Sequence, residues 1–496
     1  MTKHIISSFT AACLFFSAAY ANEVSVEIRA GGLAGEISSP ENVTSLILKG
    51  QADASDFAFI ASQMPNLEVL DLSGVTEIAA NNEVFLGNTN LHAANQIPSN
   101  TFSGMKLTKV VLPNGIQGLE IGYGAFAGTP VATIDIPGSV SIVGDGAFAG
   151  CYELKSMTCS AENVGTGAFA DCPALETVRF TRTAAIPESC FYNCVSLKVF
   201  NAPGILSVGD RAFSGCSALK SFEFGKNLTS IGREAFMQSG LESVDLVGCP
   251  LLKSVGDWAF AKMPDVKSIK MGHVAEMGEA IAFSCPSLTT FKVSESATEL
   301  PDFALSKSAS AGADGLLPES IETIGRYAMS GMGAIEEITL PESISLIGDH
   351  AMENMSGLKK MTVNMTVLPE LGEDVWAGIV QGNVEVNVPA DMYYDYVEAE
   401  QWKEFNIVKP TDNAEDVIGE TLPQLRGRFE GDNLIVQSVG VEIDRLVLYN
   451  PAGQLLVAVE PTADTVEVDT NGFGTRIFII HAALADGRNA VLKLSK

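Results

Sequence analysis

Positive charge is what this chain most lacks. Lys and Arg number 31 against 60 Asp and Glu, a net charge of −29 over 496 residues. A surface this acidic repels phosphate backbones and anionic lipid, which excludes nucleic acid as a partner. Histidine is scarce as well, and outside the first 21 residues only His92, His273, His350 and His481 remain, far apart in the chain. None has a Ser or Cys in a nucleophile motif beside it, and H-E-x-x-H, G-x-S-x-G, a Walker loop and any C-x-x-C pair are all absent. The expectation is therefore no enzyme, no cofactor and no metal site. The remote alternative is an enzyme hidden in residues 81–96 or in the C-terminal region. Past residue 21 no apolar run reaches 18 residues, so no membrane insertion is expected there.

The chain opens with a processing signal. Lys3 and His4 precede an apolar stretch from Ile5 to Ala18, and Ala19-Tyr20-Ala21 is an A-x-A cleavage site. That arrangement predicts a signal peptide over 1–21, removed during export. The apolar stretch is too short to span a bilayer.

Beyond the signal the sequence repeats itself. "GAFAGTP" around Phe126 returns as "GAFAGC" at Phe148, "GAFADC" at Phe169, "SCFYNC" at Phe191 and "RAFSGC" at Phe213. It continues through Phe236, Phe260 and Phe283, with an earlier copy at Phe102 and later ones at Leu305, Met329, Met352 and Trp376. Successive marks lie 21 to 24 residues apart. Between marks runs L-x-x-V-x-L, as in Leu107, Val110, Leu112 and Leu241, Val244, Leu246. Its last residues alternate inward and outward, which predicts a short strand. An Ile/Val-Gly pair then precedes each mark, as at Val143-Gly144, Val208-Gly209 and Ile231-Gly232, and the Gly is expected to supply a bend with φ > 0. One strand, two bends and a helical turn per period make one coil of a solenoid. Thirteen or fourteen coils stacked at strand spacing give a parallel sheet roughly 65 Å long. The fold class is thus mainly β with short helical turns.

The phrases "LTKVVLPNGI" and "IEEITLPESISLIGDHAMENMSGLKKMTV" resemble the BspA-like leucine-rich repeat family over about residues 40 to 408. Residues 22–100 are similar to the opening cap and first repeats of bacterial members. Residues 101–408 carry the repeats, and 384–408 resemble a closing cap, a strand plus a short amphipathic helix. The resemblance implies a secreted or surface-displayed binding protein of a host-associated bacterium. It also implies attachment to host extracellular-matrix proteins and other cells, and the expectation for this chain is a protein or glycan ligand held by the concave sheet.

Two places depart from the period. The spacing between Leu72 and Phe102 is too long for one coil, and the excess, around 81–96, is expected to protrude. In 306–315, "SKSASAGADG", the strand is nearly erased, with Ala311 and Asp314 where core residues belong. That reads as a decayed coil or as a gap for a partner. After Val408, "KPTDNAEDVIGETLPQLRG" over 409–427 reads as a linker, and 428–496 alternates as a small antiparallel β-sandwich. "LVLYNPAGQLLVAV" and "RIFIIHA" in it resemble the sorting domain of Bacteroidota type IX secretion substrates, although Gly474-Thr475-Arg476 departs from the usual step. The resemblance implies export to the outer surface of a Gram-negative cell. The alternative is a small module that only packs or spaces.

Eight cysteines follow the signal, an even number in an exported chain, which suggests disulfides. The repeat favours another reading. Cys151, Cys172, Cys194 and Cys216 each sit three residues after a mark, in a slot that holds Met105, Thr129, Ser239, Met263, Met332 and Met355 elsewhere. A slot that accepts Met is apolar and buried, so a ladder of free thiols is expected.

The regular surface is the strand face. One outward column reads Ser156, Thr177, Val199, Ser221, Ser243, Ser268, Thr290. The next carries the candidate partner-binding residues Asp135, Arg179, Asn201, Glu223, Asp245, Lys270 and Lys292, with Thr158 between the first two. Its change of sign toward the lysines would orient a charged partner. A surface-displayed binding module is the functional expectation, with a passive spacer as the alternative.

Overall fold

The computed structural model describes residues 22–81, 93–408, 425–438, 440–451, 454–485 and 489–496. The expected signal peptide, most of the expected protrusion at 81–96 and nearly all of the linker lie outside these. The chain divides into two compact units, one ending at Pro410 and one beginning at Thr411.

The first unit is a stack of coils built on two ladders of parallel strands. The front ladder uses the L-x-x-V-x-L strands in four sheets: Glu23–Ile28 to Lys109–Val111, Thr133–Ile136 to Val199–Asn201, Ser243–Asp245 to Thr290–Lys292, and Glu337–Leu340 to Asn406–Val408. The second ladder uses the two- to four-residue strands before each Gly, such as Ser207–Val208, Ser230–Ile231 and Ser254–Val255. Alternation puts Val178, Phe180, Val244 and Ile269 in the core and leaves the residues between them outside.

The marks form the core's spine. Phe102, Phe126, Phe148, Phe169, Phe191, Phe213, Phe236 and Phe260 are wholly buried. Their rings stack in one column with centroids 5.2 to 5.8 Å apart. No coil buries its ring alone, so each depends on its neighbours. Both ends of the column are covered. Helix Ala54–Gln63, whose Asp53 and Asp56 form a capping box, lays Phe57 edge-on against Phe102 at 6.0 Å. At the other end Trp402 and Phe405, in the segment between helix Tyr393–Glu398 and strand Asn406–Val408, pack on Trp376 at 5.0 and 5.3 Å. These residues lie within 384–408 and cover the Trp376 coil.

Phe283 is not in the column. Phe260 N–H donates to the Ile281 carbonyl and Ala282 N–H to the Ala304 carbonyl, which places Ala282 in the marker slot. Phe283 lies one residue off, half-buried, against Trp258 at 5.1 Å. The reason is the preceding glycine. The buried mark stands four residues after it in Gly209/Phe213, Gly232/Phe236 and Gly256/Phe260, and Gly278 plus four is Ala282.

These glycines do a different job from the one expected. Gly144, Gly209, Gly232, Gly325 and Gly348 do not have positive φ. They are where a coil touches the one before it. A Cβ on Gly209 would lie 2.7 Å from Glu188 N, and one on Gly325 2.5 Å from Asp302 N. The left-handed residues fall two before and two after each mark, as at Arg211 (φ 55°) and Gly215 (φ 79°) around Phe213, and Glu234 (φ 55°) and Gln238 (φ 58°) around Phe236. Such backbone costs about 1–2 kcal/mol per non-glycine residue. It is held by a ladder along the axis: the N–H groups of Arg211, Phe213 and Gly215 donate to the carbonyls of Arg233, Ala235 and Met237 at 2.8 to 2.9 Å.

All eight cysteines from Cys151 onward are buried and free. The thiols of Cys151, Cys172, Cys194 and Cys216 each reach back to a phenylalanine carbonyl of the preceding coil at 3.1 to 3.3 Å. Cys285, three residues after Ala282, does the same to the Phe260 carbonyl at 3.2 Å. Once Ala282 is recognised as the mark, Cys285 belongs to the same ladder. Burial pushes the Cys159 thiol up to about 11 and the Cys216 and Cys285 thiols to about 12.

The second unit has its own core of Leu434, Val436, Leu446, Leu448, Phe478 and Ile480. A three-stranded and a four-stranded antiparallel sheet enclose it, matching the expected sandwich. Its first strand, Leu425–Glu430, begins three residues before the expected boundary.

Candidate functional site

The front ladder brings the expected column together in two blocks. Asp135 pairs in register with Thr158, Thr158 with Arg179, and Arg179 with Asn201. Asp245 pairs with Lys270 and Lys270 with Lys292. The Ser/Thr column beside it aligns in the same way, Ser156 with Thr177 and Val199, Ser243 with Ser268 and Thr290. Adjacent members lie one strand spacing apart, about 4.8 Å, and Asp135, Arg179, Asn201, Asp245 and Lys292 are exposed.

Glu223 is the exception. Residues 221–224 form no strand, and the front ladder is broken between Val199–Asn201 and Ser243–Asp245. Phe222 and Phe224 fill both inward strand positions of one coil with rings, where other coils carry at most one. With Phe200, Phe213 and Phe236 they form one cluster at ring separations of 4.8 to 5.6 Å. So many rings beside the central column push Phe222 and Phe224 partly out and leave Glu223 on irregular backbone.

The sign change in the column is neutralised within the protein. Lys270 Nζ lies 3.4 Å from Asp245 Oδ2, and Lys292 Nζ 3.0 Å from Asp314 Oδ2. Asp314 is therefore not at a core position: its side chain is 85% exposed, and Leu316 is buried instead, together with Ala311. On the opposite wall Arg211 and Glu234 pair at 2.9 Å, and Arg211 holds the Glu234 carboxyl below its usual range.

The erased strand leaves a cleft in the front ladder. It measures about 240 Å³ and is lined by Ala313, Asp314 and Leu317 on one side and by Glu337, Thr339, Lys360 and Thr362 on the other. The sequence marked the position through the missing L-x-x-V-x-L in 306–315. It did not mark Glu337 and Thr339, whose own strand, "EITL", reads as regular.

Among the described residues no group of His, Cys, Asp and Glu is placed to hold a metal ion. Likewise no described helix is long and apolar enough to cross a membrane.

A family model for the BspA type leucine rich repeat region matches six copies, over residues 82–198, 184–311 and 315–387, which is more than half the chain. The chain belongs to the BspA-type leucine-rich repeat family. Members of this family are bacterial surface proteins, and they are repeat proteins that are typically not enzymes. A leucine-rich repeat protein from Bacteroides ovatus has a similar solved structure, with 18% identity, a TM-score of 0.51, and coverage of 80% of this chain and 97% of that one. This likeness concerns the fold. A leucine rich cell surface protein from Faecalibacterium prausnitzii is 19% identical over 59% of this chain and 87% of its own, at a TM-score of 0.31. Among curated proteins none matches this BspA-type chain.

Proposed function

We propose that this BspA-type protein is exported to the cell surface and binds a protein or glycan partner across its front ladder, in adhesion or host-matrix interaction. The observation that carries this reading is the register: Asp135, Thr158, Arg179 and Asn201 form one outward row beside Thr133, Ser156, Thr177 and Val199. Small residues in one row and mixed polar residues in the next leave a flat face on which an extended partner can lie. Arg179 carries no ion pair among the described residues, whereas Lys270 and Lys292 do. We therefore place the first contact at the Asp135–Asn201 block. A panel of immobilised matrix proteins and glycans tests it. Arg179→Glu and Thr177→Trp should each abolish capture while leaving the fold intact. Capture that survives both, or no capture by the wild type, favours a spacer. For the C-terminal unit we propose a role in export, on the resemblance noted for its strands. Surface labelling of a chain lacking residues 425–496, in a native host, should find it absent from the surface; normal display refutes that role.

A further inference from the structure

The outer face of the four-stranded sheet in the second unit is apolar. Its strands lie in the order Leu455–Val459, Ile443–Tyr449, Ile477–Leu484 and Asn489–Ser495. Alternation sends Leu446, Leu448, Phe478 and Ile480 inward to the core. The residues between them face out, and register sets them side by side. Val447 stands between Ala458 and His481, and His481 pairs with Val491. Tyr449 stands between Leu455 and Ile479, and Ile479 pairs with Lys493. Ile477 follows on the same face, opposite Ser495. Leu455 and Val491 are 60% and 61% exposed, and Ile477 is exposed as well.

An antiparallel sheet with one face on a core ordinarily turns polar residues to water on the other. The three-stranded sheet of the same unit does so. Arg428, Glu430, Gln437, Thr465 and Glu467 lie on its outer side, with Arg428 and Glu430 ion-paired. The two sheets share one core and differ in what they present outward.

Size and charge narrow what covers the apolar face. Four strands at about 4.8 Å and five residues at about 3.4 Å give roughly 19 by 17 Å, about 300 Å². That is well under the ~800 Å² per partner of a stable complex, so the face alone does not hold a second copy in a stable dimer. The polar groups within it, His481 and Lys493, are both bases, and Lys493 has no ion pair among the described residues. Carboxylates come only at one end, Asp444 in the bulge before Arg445 and Glu460 just past Val459. Anionic lipid is repelled by the chain's net charge of −29.

We infer that an amphipathic helix of another protein docks on this face, with its apolar stripe over Val447, Tyr449, Ile479 and Val491 and a carboxylate against Lys493. A helix with its side chains is about 10–12 Å across, so one helix and its flanking residues span the four strands. Laid on the sheet it forms a third layer, with the second sheet already covering the other side. An interface this small makes the complex transient. The inference goes beyond the export role proposed for this unit and does not need it, because docking is read on the purified chain and display in cells.

Fluorescence anisotropy on the purified full chain tests it. The probe is a labelled peptide about 15 residues long, with leucine along one helical face and glutamate beside it, and a control carries lysine in place of glutamate. The glutamate peptide should bind with a Kd of about 1 mM or tighter, and the lysine peptide about tenfold more weakly. Val491→Glu should weaken the glutamate peptide about tenfold or more. Lys493→Glu should reverse the preference between the two peptides, an outcome that misfolding cannot produce. Gln437→Glu, on the polar sheet, should leave both unchanged. No binding at about 1 mM, equal binding of the two peptides, or binding indifferent to Val491→Glu and Lys493→Glu would each overturn the proposal. So would a dimer of the wild type, or adsorption to phosphatidylglycerol vesicles, that Val491→Glu abolishes, since the face would then belong to a second copy or to a membrane.

Discussion

Two phenylalanines in the same short phrase should respond very differently to removal. Phe191→Ala deletes a ring that is fully buried and touches Phe169, Phe180, Phe200 and Phe213 at 5.5 to 5.7 Å. A buried Phe→Ala change costs about 3–5 kcal/mol through lost transfer energy and the cavity left behind. Each favourable ring pair adds about 0.5–1.5 kcal/mol beyond burial. The cavity sits between stacked coils that backbone bonds hold in the marker wall and in the second ladder, so it collapses little, and the upper end, about 5 kcal/mol, is expected. Phe283→Ala removes a ring of the same size from a half-buried site. It loses one tilted contact with Trp258 at 5.1 Å and one with Lys307 Nζ at 5.3 Å. About 1 kcal/mol is expected there. Urea denaturation of both variants, followed by circular dichroism at matched m-values, measures the difference. Equal losses, or a larger loss at Phe283, would show that Ala282 does not hold the marker slot and that the four-residue count from glycine is wrong.

Three further outcomes are expected. Denaturation without reductant should expose eight alkylatable thiols, and Cys194→Met should change stability by only about 1 kcal/mol, since a Met fits the same slot in other coils. Buried thiols ionise near 11 to 12 in the fold against an ordinary value of 9. The folded state therefore holds more protons above pH 9, and stability present below pH 9 is lost as pH rises, by about 1.4 kcal/mol per pH unit per thiol. Cys216→Ala should flatten that decline between pH 9 and 11, and an unchanged slope would contradict it. Limited proteolysis should cut residues 309–318 or 409–427 before any coil within 140–240; first cleavage inside 140–240 would count against the erased coil as the weak point.

Much of the solenoid could be read from spacing alone. The period, the strand and the thiol slot all express one constraint, that equivalent residues of stacked coils share one environment, and Cys172 or Val178 shows it directly. Phe283 misled because an Ala-Phe phrase was counted by its ring. The ring is a consequence of the slot, while the glycine before it marks a contact that no Cβ can enter. Glu223 looked regular because strand propensity is local, whereas the crowding of Phe222 and Phe224 involves three coils. Lys292 looked like a free charge because its partner Asp314 belongs to a stretch with no readable register, whereas Lys270 and its partner Asp245 stand side by side in the column itself.

The marker wall has an electrical consequence. In each coil the peptide units around the mark send their N–H groups toward the following coil and their carbonyls toward the preceding one, as Phe213 does to Ala235 and Phe236 to Ala259. Their dipoles therefore add along the axis from coil to coil, as they do along an α-helix, where the ends carry about half an elementary charge each. The wall is a polarised rod with its negative pole at the N-terminal cap and its positive pole at the closing cap. A charged partner approaching this acidic protein meets a potential that differs between the two ends, whatever side chains the columns display.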